Sequence, residues 1–174
     1  MRKQQQVQKV HTQRGVGLVE VLVALLILAI GVLGYAGLQL AALKGAEEAN
    51  NRSQATLISQ DALERIESNR AERATYLATA SWPDAPVTPG GDPETGCQGA
   101  DCSAAQMAAL DIAQLAWLSG NQLPNGRVQA APCNGNSMSC VIVSWGKMEP
   151  DDCLTATGIN MDESATCVVL EVSR

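Results

Sequence analysis

Residues 21–43 are 23 consecutive positions without a charged side chain, bounded by Glu20 and Lys44. A stretch of that length is long enough to cross the hydrocarbon core of a bilayer as an α-helix, which satisfies its own backbone groups there. Arg2, Lys3, Lys9 and Arg14 all precede Gly15, and no acidic residue does. The positive-inside rule keeps that basic segment in the cytoplasm and sends everything after the span outward. An ordinary signal anchor or a secretory signal peptide is the plain reading. A signal peptide needs a short apolar core and a small-residue cut site. Here the apolar run is too long and continues into a helical pattern.

Two details go beyond a plain anchor. Arg14-Gly15 stands directly ahead of the apolar run, and Glu20 places a carboxylate inside it. A carboxylate in lipid is expensive, so it usually has a partner and a purpose. The plain alternative is a Glu20 that snorkels to the interface.

The order of basic leader, Gly15-Val16-Gly17-Leu18-Val19-Glu20 and long apolar helix resembles the class III signal of type IV prepilins. The resemblance implies cleavage between Gly15 and Val16 by a prepilin peptidase, and methylation of the new amine on Val16. It also implies that Glu20 pairs with the N-terminal amine of a neighbouring subunit. In a low dielectric, a carboxylate and an ammonium attract strongly and offset each other's desolvation. The sequence departs from the commonest pattern at Val16, where Phe or Met is usual, and at Gly17, where Thr is frequent. The implied division is a leader over 1–15, a transmembrane assembly helix over 16–44 and a head domain over 45–174.

No proline occurs from 45 to about 78, and Ala55, Ile58, Ala62 and Ile66 recur at spacings of three and four. The pattern predicts one helix from about 17 to about 78, apolar all round in its first half and amphipathic in its second, with Leu63 flanking the stripe. Glu48–Arg52 and Asp61–Arg65 are favourably ordered i,i+4 pairs. Gly31, Gly34 and Gly37 are either close-packing positions against other helices or points of bending. A loop rich in Pro and Gly follows, and Ser103 caps a second helix over 104–118 with Met107, Leu110, Leu115 and Leu118 as its apolar residues. Leu123-Pro124-Asn125-Gly126 is a turn. Strands are expected over 127–131, 140–145 and 166–172. The fold class is therefore α+β: a long N-terminal helix packed on a small antiparallel sheet.

All six cysteines lie between 97 and 167. In an exported chain with a small core, that reads as three disulfides stapling the head. The pairing stays open, with Cys97–Cys102, Cys133–Cys140 and Cys153–Cys167 favoured as local loops. A zinc site needs C-x2-C-like pairs or several histidines; no such pair is present, and the one histidine is His11.

The layout is similar to the pilin fold. Ser68-Asn69-Arg70-Ala71, Tyr76, Trp117 and Leu123-Pro124-Asn125-Gly126 look like the PilV-type minor pilins of type IV pili. That resemblance implies a minor pilin in a tip or priming complex that starts pilus assembly. Its partners would be other minor pilins, the major pilin, the prepilin peptidase and the inner membrane. It would sit single-pass in that membrane with its head in the periplasm, then in the extracellular pilus. The alternatives are a minor pseudopilin of a type II secretion system, which shares leader and helix, and a tip adhesive module acting through its C-terminal disulfide loops.

Chemistry finds little footing. The only histidine, His11, lies in the segment expected to be removed, so no Ser/His/Asp or Cys/His set can be built. Glu47-Glu48 and Asp151-Asp152 read as solvated acids. Asp151, Asp152, Asp162 and Glu163 lack the spacing of an EF-hand loop. Removal of the leader leaves 8 basic residues against 18 acidic ones, a charge of about −10, which argues against a nucleic-acid surface. No enzyme activity, cofactor, metal or small-molecule substrate is expected. Trp117 and Trp145 are expected in the core, and Trp82 is a candidate for an exposed subunit contact.

Overall fold

The computed structural model describes residues 15–91, 93, 96–97 and 101–173. Residues 1–14, with His11, Arg2, Lys3, Lys9 and Arg14, lie outside the described residues. Two compact units meet between Gly45 and Ala46.

Helix α1 (Leu18–Ser68) is 51 residues long and runs through both units. In the first unit it is long and apolar enough to cross a membrane. Every large apolar side chain from Val16 to Leu43 is at least 46% exposed. The second unit holds the packed core. There, Ala55, Ile58, Ala62 and Ile66 of α1 are all buried, so the stripe expected from their spacing is the face that packs. Each isoleucine contributes about 1.5–3 kcal/mol by leaving water.

The single helix expected to about 78 does not hold. α1 ends at Ser68; a short 3₁₀ turn (Arg70–Glu72) and a one-turn helix α2 (Arg73–Tyr76) follow, and a second 3₁₀ turn covers Thr79–Ser81. The break lies at Asn69, whose φ of −118° and ψ of 56° leave helical space. The Ser68 hydroxyl donates back to the Arg65 carbonyl at 2.8 Å, and the Asn69 amide donates to the Ala104 carbonyl at 2.8 Å. Short polar side chains compete with the helix for backbone partners in this way.

Helix α3 (Ala104–Gln122) starts at the expected cap, Ser103. The hydroxyl accepts from the Gln106 N–H, and the Gln106 side chain accepts from the Ser103 N–H, completing a capping box. Of its four apolar residues read from the sequence, only Leu115 is fully buried. Ala108, Asp111, Ile112, Leu115, Ala116 and Ser119 are buried, whereas Met107 is exposed and Leu110 and Leu118 are half-buried. Small residues let α3 come close: a Cβ at Gly120 would run into the Val87 carbonyl. Tight approach therefore outweighs residue size in choosing the face.

Strands β1 (Arg127–Pro132), β2 (Ser139–Ser144) and β5 (Cys167–Val172) form an antiparallel sheet in the order β1-β2-β5. The turn before β1 places Asn125 at φ 52°, a conformation asparagine tolerates. The central strand β2 is buried at all six positions because the sheet is covered on both faces. Val128, Ala130, Val141 and Val143 face α1 and α3, with Val168 and Leu170 beside them. Cys140, Ile142 and Val169 face a strap made of a 3₁₀ turn (Pro150–Cys153), the two-residue strands β3 (Leu154–Thr155) and β4 (Gly158–Ile159), and the segment returning to β5.

Disulfides join Cys97 to Cys102 and Cys133 to Cys140, with Cα–Cα separations of 5.8 and 5.0 Å. The expected third bond is not formed: Cys153 and Cys167 are buried free thiols. The two bonded pairs sit on short loops that bring their own ends together. Cys153 and Cys167 meet only through packing of the strap on β5.

Two of the three tryptophans depart from expectation. Trp82 is buried in the core, where its Nε1–H is satisfied by the Tyr76 carbonyl at 2.8 Å. Trp145 is buried as expected. Trp117 is half-buried and donates from the edge of α3 to the carbonyls of Gly90 and Gly91, at 3.2 and 3.3 Å.

Candidate functional site

The first candidate surface is the start of α1. Gly15, Val16 and Gly17 precede the helix, and the first turn closes by bonds from the N–H groups of Glu20 and Val21 to the Gly17 carbonyl, at 3.0 and 3.2 Å. Glu20 therefore stands in the first turn, where the helix dipole favours a negative charge. Val16, Glu20, Ala24 and Leu28 repeat every four residues and share one open face, with Val21 and Leu25 beside them. Among the described residues Glu20 has no ion-pair partner. The surface is thus an apolar helix face with one carboxylate near its tip, and chemically it is suited to receive a cation in apolar surroundings. A side chain at Gly15, Gly17, Gly31, Gly34 or Gly37 would meet open space, so nothing within the chain demands glycine at these positions.

In the second unit a polar clasp fixes α1 to α3. Arg65 holds Asp61 in two hydrogen bonds, at 2.9 and 3.2 Å, and reaches Asp111 at 3.0 Å and Gln114 at 2.9 Å. The Tyr76 hydroxyl donates to the other Asp111 oxygen at 2.5 Å and lies 3.4 Å from the Asn69 amide. Burial tends to lower the pKa of Arg65, but its bonds to Asp61 and Asp111 outweigh that and raise it. Burial, and then the bond to Asp111, push the Tyr76 hydroxyl well above its ordinary value. The clasp is thus a protonated Arg65 and a protonated Tyr76 converging on one carboxylate. Asp111 was not singled out in the sequence. An acid amid Ala, Leu and Ile in α3 was the available signal, since a buried carboxylate needs partners.

A second tie runs from Arg52. Its Nε meets Glu48 at 2.9 Å, its terminal nitrogen donates to the Ala165 carbonyl at 2.8 Å, and its guanidinium lies 5.6 Å from the centroid of the Trp145 ring. The Trp145 Nε1–H donates to Glu48 at 3.3 Å. Both i,i+4 pairs read from the sequence are formed, and each also reaches a partner far away in the chain.

Among the described residues the remaining acids do not assemble into a site. Asp162 accepts from the N–H and hydroxyl of Ser164, both at 2.8 Å, which holds its pKa below the usual range. The one potential metal cluster among the described residues is Cys133, Cys140 and Glu171, and its two sulfurs are already joined to each other.

Comparison with known families agrees with both units. The model of the prokaryotic N-terminal methylation motif matches residues 10–36, and the Tt1218-like model, described as type IV pilin Tt1218, matches residues 37–113. The two matches abut and cover the leader junction, α1, α2 and the first half of α3. No curated protein and no solved structure gives a significant match. Pilins are structural subunits, and their leader motif implies processing by a prepilin peptidase and assembly with other pilins. With a methylation motif at its leader junction, an apolar helix able to cross a membrane and a disulfide-bearing α+β head, this chain is a type IV prepilin-like protein.

Proposed function

We propose that this protein is a minor pilin of a type IV pilus, a subunit of the tip or priming complex on which the major pilin polymerises. The observation that carries the reading is the exposed apolar face of α1 with Glu20 in its first turn. Single-pass insertion in the inner membrane, with the head in the periplasm, accounts for that apolar surface before assembly, and contact with neighbouring pilin helices accounts for it afterwards. Prepilin peptidase cuts between Gly15 and Val16, and Val16 receives the methyl group. Glu20 pairs with the amine of a neighbour's first residue, so that neither charge is left alone in an apolar medium. Gly31, Gly34 and Gly37 then become positions where other helices approach closely. The minor role is favoured by the residues shared with PilV-type subunits. In this chain Asn69, Tyr76 and Trp117 join α1, α2 and α3 to their surroundings.

Intact-mass measurement with N-terminal sequencing of protein from its native envelope tests the processing. The expected chain begins at N-methyl-Val16, and one beginning at Met1 overturns the leader assignment. Deletion tests the role: loss of surface pili supports it, whereas intact pili with lost export of secreted enzymes reassign the chain to a type II secretion system.

A further inference from the structure

Asn-Gly steps occur at Asn125-Gly126, before β1, and at Asn134-Gly135, in the tip of the β1–β2 hairpin. Their surroundings are opposite. Gly126 is buried, and its N–H donates to the Leu123 carbonyl at 3.1 Å. Asn134 and Gly135 are both exposed, and among the described residues the Gly135 N–H has no hydrogen-bond partner. Gly135 has a φ of 78°, which glycine accepts readily, and a Cβ there would run into the Thr157 carbonyl. The fold thus demands glycine directly after Asn134. The hairpin tip presses here on the turn of the strap between β3 and β4. It is tied to the strap by the Asn134 amide, whose Nδ2 donates to the Thr155 carbonyl at 2.9 Å. Asn136, the next asparagine in the tip, is held at both ends. Its Nδ2 donates to Glu171 at 2.9 Å, and its Oδ1 accepts from the Met138 N–H at 2.8 Å.

We propose that Asn134 is a self-hydrolysing site, converted without an enzyme to aspartate and isoaspartate, and that the conversion frees the strap from the hairpin tip. The Gly135 amide nitrogen loses its proton to water or hydroxide and attacks Cγ of Asn134. A bond from that nitrogen to Cγ forms, the bond from Cγ to Nδ2 breaks, and the leaving nitrogen takes up a proton and departs as ammonia. The product is a cyclic succinimide. Water then opens the ring at one of its two carbonyl carbons. Opening at Cγ restores the main chain with an aspartate. Opening at the main-chain carbonyl gives isoaspartate, whose chain runs through the former side chain and is one methylene longer. In sum, one amide and one water become one carboxylic acid and one ammonia, with no change of oxidation state. Either product replaces the Nδ2 donor by a carboxylate that turns charge, and no proton, toward the Thr155 carbonyl oxygen. Isoaspartate also shifts Gly135 from its seat against Thr157. The salt bridge from Arg127 to Glu149, at 2.9 Å, still anchors the start of the strap, so the opening is local to its β3–β4 turn. At Asn125 the same chemistry is suppressed, because the attacking nitrogen is buried and already bonded.

The full chain in detergent, freshly purified and then incubated warm at mildly alkaline pH, tests the site by peptide mapping with mass and fragmentation. Asn134 should gain the mass of OH in place of NH2, as a mixture of aspartate and isoaspartate and faster as pH rises, while Asn125 stays an amide. The same chain unfolded in denaturant should lose both amides at similar rates. Asn134 intact in the folded chain while the unfolded chain reacts overturns the proposal, and so does Asn125 reacting as fast as Asn134. Aspartate without isoaspartate overturns the cyclic route. Asn134→Gln, whose longer side chain closes a ring far less readily, should keep its amide. Asn134→Asp carries the carboxylate in an unaged protein. Its cleavage within 149–165 by a protease of broad specificity should be about tenfold faster than in the fresh parent, as expected for one lost hydrogen bond and a new repulsion. Unchanged cleavage, with circular dichroism showing a folded head, overturns the untethering role.

Discussion

Asp111 takes the Tyr76 hydroxyl and the Arg65 guanidinium on its two oxygens, so its loss leaves a buried hydroxyl without its acceptor. Asp111→Ala should destabilise the head by about 1–3 kcal/mol, because the buried Tyr76 hydroxyl loses its acceptor and the part-buried Arg65 loses one of its partners. Chemical denaturation of the full chain in detergent, followed by tryptophan fluorescence, measures this. Tyr76→Phe removes one hydrogen bond and should cost about 1–2 kcal/mol. The same pair of proteins carries a pH signature. The folded-state pKa of Tyr76 is raised by burial and by Asp111. Its contribution is therefore fully present below the unfolded tyrosine pKa of about 10 and is lost as pH rises above it. Stability should fall in that alkaline window, and Tyr76→Phe should fall less steeply. Equal slopes would show that Tyr76 does not hold its proton against titration.

At the scale of elements, close approach decides more than hydrophobicity. Ala62 of α1 is fully buried. Ala62→Leu adds volume with nowhere to go and should cost about 1–3 kcal/mol, despite the better transfer energy of leucine. If the thermal midpoint of the variant is unchanged, the α1 interface yields more than its burial suggests. Local pattern was a good guide where one periodicity ruled. The stripe Ala55–Ile58–Ala62–Ile66 packs as spaced, Ser103 caps α3, and the three strands lie within a residue or so of their expected bounds. It failed where a long-range bond outbid it. Asn69 sits in a proline-free helical pattern, yet it gives its amide to Ala104, 35 residues away, and the helix stops. α3 buries small residues and Asp111 in place of Met107, because its neighbours are a clasp and a loop backbone.

At the scale of the whole molecule, the exposed apolar half of α1 demands a medium other than water. The full chain should partition with membranes, resist extraction by carbonate and dissolve in detergent. Gly15→Val should leave an uncleaved precursor on a gel. The space around Gly15 is open, so such a failure reports recognition by the peptidase and not misfolding. Glu20→Ala should be exported and cut normally but enter pili several-fold less well, as counted by immunoblot of sheared fibres. Incorporation at the normal level would make Glu20 an interface residue with no assembly role.

The division between chain and fold follows from the range of the forces involved. The uncharged run over 21–43, the glutamate at its head, the amphipathic stripe and the turn at Asn125 are local, because each depends on residues within a few turns of one another. Their consequences, a membrane-capable helix and an α+β head, were legible from the amino acids alone. The polar clasp on Asp111, the burial of Trp82, the face presented by α3 and the meeting of Cys153 with Cys167 join residues far apart in sequence or on different elements. They exist only once the elements have packed together, because only then do packing distance and desolvation choose which groups are paired.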